Sequence, residues 1–100
     1  MNEPQTFRKK PVEVQAIRWM GDNAAAIKEF VGTRDNGETR FLLPSEISGV
    51  WEHPHVFEEN HAQWIAVLPG YWVIKGTRGE FYPCDPNAFA DTFESAEVSR

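Results

Sequence analysis

Cysteine and long apolar runs are almost absent from this sequence. Cys84 is the single cysteine among 100 residues, which excludes an internal disulfide framework and a zinc site made of cysteine alone. No apolar run approaches the roughly 20 residues of a membrane-spanning helix. The first ten residues carry charges with no apolar stretch behind them, so no secretory signal is expected. These absences predict a cytoplasmic protein with no membrane partner.

Basic residues are scarce in the second half of the chain. Residues 51–100 contain three basic and eight acidic side chains, whereas residues 1–50 contain seven of each, and the formal net charge is −5. An acidic surface repels phosphate backbones, so nucleic-acid binding is disfavoured. The alternative of a nucleic-acid-binding module rests on the basic cluster between Arg8 and Arg18. Such a cluster is also typical of a solvated strand edge.

The composition is that of a folded domain. Hydrophobic residues make up 41% of the chain and charged residues 25%. A chain of this length buries enough surface for one core, so a single domain over residues 1–100 is expected. The polar ends, residues 1–6 and 95–100, are expected to be flexible.

An alternating pattern near the N-terminus predicts the first strand. Val12, Val14 and Ala16 alternate with polar residues, which predicts a strand over about residues 8–19 with one buried face. The apolar face of this strand needs a partner, so the strand is expected to pair with the C-terminal strands.

A short helix is predicted over residues 24–31. Asp22 or Asn23 can cap it, and Gly32 is expected to end it. Its apolar face, at spacings of three and four, consists of Ile27, Phe30 and Val31.

The middle of the chain, residues 33–62, has weaker patterns. A turn at Asn36-Gly37 and short strands at 41–43 and 55–57 are expected. From residue 64 to residue 82 the sequence predicts a β-meander of three strands, joined by tight turns at residues 68–71 and 76–79.

A second helix is predicted after this meander. Asp85 is a suitable cap, and Pro86 suits the first helical position. Phe89 and Phe93 are four residues apart and are expected to bury one helical face against the sheet. The whole pattern predicts an α+β fold: a curved, mostly antiparallel sheet of four or five strands with two short helices.

Two motifs occur in order along the chain. Residues 68–94 include Gly79-Glu80-Phe81-Tyr82-Pro83-Cys84, then Pro86 and Phe89, and residues 7–19 precede the turn Gly21-Asp22-Asn23. Both resemble an uncharacterised family of small proteins that tailed phages and prophages encode, with its C-terminal signature Gly-Glu-Phe-Tyr-Pro-Cys-x-Pro-x-x-Phe. The chain departs from the family pattern at Tyr71 and Phe93, where the family has aspartate and tyrosine. The resemblance implies a phage-type accessory protein in the host cytoplasm and transfers no catalytic residue.

The signature segment is also the main candidate binding site. Glu80, Tyr82 and Cys84 alternate, so they would share one face of a strand and combine a carboxylate, a phenol and a thiol. The alternative is a structural role, in which Glu80 pairs with a cross-strand cation and Cys84 packs in the corner between the strand and the following helix. A nucleophilic Cys84 would need a histidine base, and the sequence places none beside it. The predicted ligand- or partner-binding residues are Trp72, Lys75, Arg78, Glu80, Tyr82 and Cys84.

A metal site is the alternative in the middle of the chain. His53, His55 and Glu59 have the spacing His-x-His-x₃-Glu, which looks like part of a cupin motif. The glycines of that motif are not in their usual places, and no histidine follows His61. A solvated, histidine-rich loop explains the same residues.

The expected function is therefore binding rather than catalysis. No glycine-rich phosphate loop, Ser-His-Asp order or HExxH motif occurs, and no cofactor is expected. We expect a small non-catalytic accessory protein of phage or prophage type that binds a host protein, a phage protein or a small ligand. The alternatives are a cupin-like metal-dependent enzyme and a nucleic-acid-binding module. Homo-oligomerisation stays open.

Overall fold

The residues that the structure describes form six short strands and two α-helices. The computed structural model describes residues 3–8, 10–47 and 51–95. In chain order the elements are β1 (Gln15–Arg18), α1 (Ala24–Val31), β2 (Phe41–Leu42), a 3-10 turn (Pro44–Glu46), β3 (His55–Glu58), β4 (Gln63–Ala66), β5 (Trp72–Lys75), β6 (Phe81–Cys84) and α2 (Pro86–Thr92). The α+β class is confirmed.

The strands form two antiparallel sheets of three, in the orders β1-β5-β6 and β2-β3-β4. The expectation of one sheet with four or five strands was therefore wrong. The predicted meander over residues 64–82 was also wrong, because β4 and β5 belong to different sheets.

The turn at Leu68–Tyr71 causes this separation. Gly70 has a φ of 84°, and the Tyr71 N–H donates to the Leu68 carbonyl at 3.0 Å. The turn is also tied to Trp19: Gly70 N–H donates to the Trp19 carbonyl at 3.0 Å, and Trp19 N–H donates to the Tyr71 carbonyl at 2.8 Å. The chain therefore leaves β4 and starts β5 beside β1.

β1 is shorter than the sequence predicts. Its residues Gln15–Arg18 pair with Lys75–Trp72 of β5, which confirms the expected pairing with the C-terminal strands. The predicted extent of residues 8–19 was wrong. β5 has only four residues before the chain turns at Gly76, so the residues before Gln15 have no ladder partner on that strand.

The core lies between the two sheets and α1. The first sheet contributes Val73 and Phe81, and the ring of Phe30 on α1 meets Phe81 edge-on with centroids 5.5 Å apart. Trp19, which follows β1, meets Phe41 of β2 in the same way, also at 5.5 Å. The buried cluster consists of Trp19, Ile27, Val31, Phe41, Val56, Val67, Val73 and Phe81.

α2 lies on the other face of the β1-β5-β6 sheet. Phe89 stacks on Trp72 with ring centroids 4.3 Å apart and planes 9° apart. Trp72 pairs with Cys84 and Ile74 pairs with Tyr82, so these four residues share the α2 face. Ile74 is fully buried there, but no residue of α2 is. The expected burial of Phe89 is thus only partial.

Two of the three predicted helix ends are confirmed. The Asp85 carboxylate caps α2 by accepting from the N–H groups of Asn87 and Ala88, and Gly32 ends α1 with a φ of 69°. Asn23 lies at the first cap position but makes no side-chain cap. Its amide instead donates to the Arg18 carbonyl and accepts from Met20 N–H, which closes the turn after β1.

Two further expectations concern the ends and the membrane. Part of the predicted flexible ends, residues 1, 2 and 96–100, lies outside the described residues. Across the described ranges, no helix has the length and apolar character needed to cross a bilayer.

Candidate functional site

A groove of about 450 Å³ opens on the α2 face of the β1-β5-β6 sheet. One side is the segment before β1, one is the β5–β6 hairpin, and one is the end of α2. We call it the Glu80 groove. Its main lining residues are Lys10, Val12, Val14, Glu80, Tyr82 and Phe93.

The hairpin turn fixes the Glu80 carboxylate. Its Oε1 accepts from the Arg78 N–H at 3.0 Å, and the Glu80 carbonyl accepts from the Gly76 N–H at 2.7 Å. The carboxylate lies so close to Gly76 that a Cβ at that position would collide with it. Glycine is therefore required at position 76 for Glu80 to point as it does.

Tyr82 supplies a neutral hydroxyl to the groove. Burial raises the pKa of its phenol; the negative charge of Glu80 raises this pKa further, and so does Cys84 once its thiol ionises at high pH. The hydroxyl therefore stays protonated at neutral pH and can both donate and accept a hydrogen bond.

Cys84 does not have the environment of a nucleophile. Burial raises the pKa of its thiol, and Asp85 raises it further. Reactive cysteines have a lowered pKa, so the thiol form prevails here. The Sγ lies 3.6 Å from the Asp85 carbonyl, to which it can donate a weak hydrogen bond.

Trp72 lines a second, larger groove of about 780 Å³. This groove follows residues 12–17, which include the first three residues of β1, and we call it the β1 edge groove. Its aromatic walls are Phe30 on the core side, and Trp72, Phe89 and Phe93 on the α2 side. The Arg18 guanidinium lies 5.9 Å from the centre of the Trp72 ring and is held by the Gly70 carbonyl at 2.9 Å.

The two predicted cations do not line the Glu80 groove. Lys75 pairs with Phe81, so it lies on the opposite face of the sheet from Glu80 and Tyr82. Arg78 is exposed in the turn, where its backbone N–H contacts Glu80. The cation of this groove is Lys10.

Sequence reasoning missed Lys10, although a signal for it exists. Lys10, Val12 and Val14 are two residues apart, so they share a face if the chain stays extended. Pairing of Gln15 with Lys75 places Val14 next to Gly76. That register is not readable from local sequence, so the segment could not be matched to Glu80.

The predicted metal ligands have other partners. The Glu59 carboxylate binds the Arg40 guanidinium at 2.9 Å. The His55 ring stacks on Trp51 with centroids 3.5 Å apart, and its Nδ1 lies 2.9 Å from the His53 carbonyl. Burial lowers the pKa of His55. Among the described residues, no three His, Cys, Asp or Glu side chains are grouped to hold a metal ion.

An aromatic surface on the second sheet was not anticipated. Phe57 pairs with Trp64 across β3 and β4, with ring centroids 5.2 Å apart. The Arg34 guanidinium covers Phe57 at 4.0 Å from the ring centre, and Trp51 lies 6.2 Å from Trp64. The chain's own arginine therefore covers part of this surface.

The fold and the grooves define a small two-sheet α+β protein with two neighbouring open clefts on one side. No family model, no curated protein and no solved structure matches the chain. The likeness to phage and prophage proteins therefore rests on the two motifs at residues 7–23 and 68–94.

Proposed function

We propose that this chain is a small non-catalytic binding protein, of the accessory type that phages and prophages encode, and that it binds a small ligand in the Glu80 groove. One observation supports this most. A carboxylate, a neutral phenol and an ammonium group, from Glu80, Tyr82 and Lys10, line one open groove. Its other walls combine apolar residues with two threonines, and a few polar groups among apolar walls are the usual make-up of a small-molecule site.

The groove chemistry favours a small zwitterion with an apolar body. Lys10 can pair with an anionic end and Glu80 with a cationic end. Val12, Val14 and Phe93 offer contact to the apolar part. Amino acids have this combination of groups, and their size is compatible with a groove of about 450 Å³.

Catalysis and nucleic-acid binding have less support. The raised pKa of Cys84 argues against a nucleophile, and the Arg40 pairing of Glu59 argues against the cupin-like metal site. Arg18 of the basic cluster is held by the Gly70 carbonyl, and Lys10 lines the groove. We therefore do not propose the two alternative functions.

Mapping by NMR tests this proposal. Free tryptophan, tyrosine and phenylalanine are titrated as zwitterionic probes into the ¹⁵N-labelled protein. Amide shifts are expected to be largest at Gly76, Arg78 and Tyr82, with little change around Trp64. Methyl esters of the same amino acids lack the carboxylate and should bind more weakly. Shifts centred on the Trp51–Trp64 surface, or no shifts at all, would refute the proposal.

A further inference from the structure

β1 leaves one backbone edge facing the β1 edge groove. Among the strands of the described residues, β1 has β5 on one side and no neighbour on the other. The N–H and carbonyl of Trp19 both bond to the turn that leads into β5. Backbone groups of an antiparallel strand point to alternate sides along the chain. Ile17 and Gln15 therefore bond toward β5, and Ala16 and Val14 point their backbone groups into the groove.

Arg18 confirms this alternation. It lies between Ile17 and Trp19, and its carbonyl accepts from the side-chain amide of Asn23 rather than from β5. That contact closes the edge at one end. The edge that faces the groove thus runs over residues 12–17, a length of about 20 Å for an extended chain.

Within the described part of the chain, residues 12–17 carry little of the usual protection against strand addition. Exposed edges are commonly blocked by lysine, proline, bulges or a covering element. The sequence of residues 12–17 is Val-Glu-Val-Gln-Ala-Ile, with neither lysine nor proline. Along these six residues an added strand would therefore meet Glu13 as the one charged side chain and no proline ring, since Lys10 and Pro11 lie just before them.

The groove walls match the side chains of an added strand. Side chains of an extended peptide alternate between the two faces of the sheet. On the core side they would meet Phe30, and on the α2 side they would meet Trp72, Phe89 and Phe93. In strand addition the backbone contacts supply affinity and such pockets supply specificity.

The charge of the groove selects among peptides. Its charged lining residues are Glu13 and Glu94, the Arg18 guanidinium at the end of β1 is engaged by the Gly70 carbonyl and the Trp72 ring, and the whole chain has a net charge of −5. A peptide with lysine or arginine at its ends is attracted, and one with acidic ends is repelled.

We propose that a partner protein adds an extended apolar segment with basic ends to β1, through hydrogen bonds to the backbone of Val14 and Ala16. The site goes beyond the proposed small-ligand function, since it uses the β1 edge rather than Lys10, Glu80 and Tyr82. Each proposal can therefore fail separately.

A designed peptide tests the proposal on the full chain. The probe is an acetylated, amidated Lys-Val-Thr-Val-Thr-Val-Lys. Amide hydrogen exchange at Val14 and Ala16 is expected to slow by about tenfold or more when it binds, because a new ladder protects those groups. Exchange in β3 and β4 should not change.

Two control peptides distinguish strand addition from nonspecific binding. Replacing both lysines with glutamate should weaken binding by about tenfold, through repulsion by Glu13 and Glu94. Methylating alternate backbone nitrogens keeps the side chains and removes the donors, so it should abolish the protection at Ala16. If the methylated peptide binds as well as the parent, the proposal is wrong.

A protein variant completes the test. Glu13→Lys should weaken binding of the basic peptide and strengthen binding of the acidic one, whereas Glu38→Lys, the same charge change at an exposed residue that does not line the groove, should change neither. Sedimentation of the peptide-free protein tests whether a second copy of this chain occupies the edge instead. A dimer that protects Ala16 without any peptide would show that a second copy covers the edge, and it would overturn the proposal.

Discussion

The ionisable residues of the α2 face and of the β3–β4 turn have environments that set their charge at neutral pH. Tyr82 and Cys84 are partly buried and have raised pKa values, so both stay neutral. Glu58 has the opposite shift. Burial acts to raise its pKa, but hydrogen bonds from His61 and Asn60 outweigh burial and leave the pKa lowered.

We predict that Cys84 reacts slowly with alkylating agents. The raised pKa of its thiol lowers the thiolate fraction at any pH below that value, and only the thiolate attacks. At pH 8, iodoacetamide should modify Cys84 more slowly than the cysteine of an unstructured acetyl-Gly-Cys-Gly-amide peptide, and the rate should keep rising at higher pH. Faster modification than the free thiol would instead indicate an activated cysteine and reopen the enzyme reading.

We predict that Glu58→Gln destabilises the protein at neutral pH. A lowered carboxyl pKa stabilises the folded state above the ordinary value of 4.5, and that gain is lost as the pH falls through the folded-state value. The difference in melting temperature between wild type and variant should therefore shrink between pH 7 and pH 3. The control is Glu38→Gln, whose carboxylate is exposed beside Arg34. An equal loss at both pH values would contradict this account.

Among the secondary-structure elements, helix α2 is attached to the sheet through one aromatic stack. Phe89 lies flat on Trp72, and Phe93 follows at 5.1 Å from Phe89. The Phe-x-x-x-Phe spacing predicted this contact face, and Asp85-Pro86 predicted the start of the helix. The depth of burial was not predictable, because it depends on how much of the sheet α2 covers.

We predict that Phe89→Ala costs about 1–3 kcal/mol of unfolding free energy. Truncation of a fully buried phenylalanine costs about 3–5 kcal/mol, and Phe89 is only half-buried. Denaturant melts measure this loss, with Ala90→Gly as a control for helix propensity on an exposed position of α2. A loss below that of the control would mean that the stack does not hold the helix in solution.

At the scale of the whole molecule, local patterns predicted the elements but not their assembly. Period-two alternation, the Asp85 cap and the glycine turns are properties of neighbouring residues, and they marked most elements to within a few residues. Sheet membership depends on contacts between distant residues. Trp19 binding the Leu68–Tyr71 turn sends β5 to β1, and no local pattern indicates that.

The same limit applies to the candidate site. Glu80 and Tyr82 were predicted as neighbours because they are two apart on one strand. Lys10 was missed because it is 70 positions away from Glu80 and meets the groove only through the β1–β5 register. Lys75 and Arg78 were near in sequence, but the register and the turn place them away from the groove.

The central claim is that Glu80 and Tyr82 serve binding rather than folding. The most direct measurement compares ligand affinity and stability in the double variant Glu80→Gln/Tyr82→Phe, with Lys75→Gln as the control on the opposite face. Calorimetric titration with the amino acid that binds best should show a loss of about 1–3 kcal/mol in the double variant and none in the control, because direct hydrogen bonds are removed. Unfolding free energies should change little in either protein. A double variant that loses stability but keeps its affinity would show that these residues stabilise the fold rather than bind the ligand, and would contradict the claim.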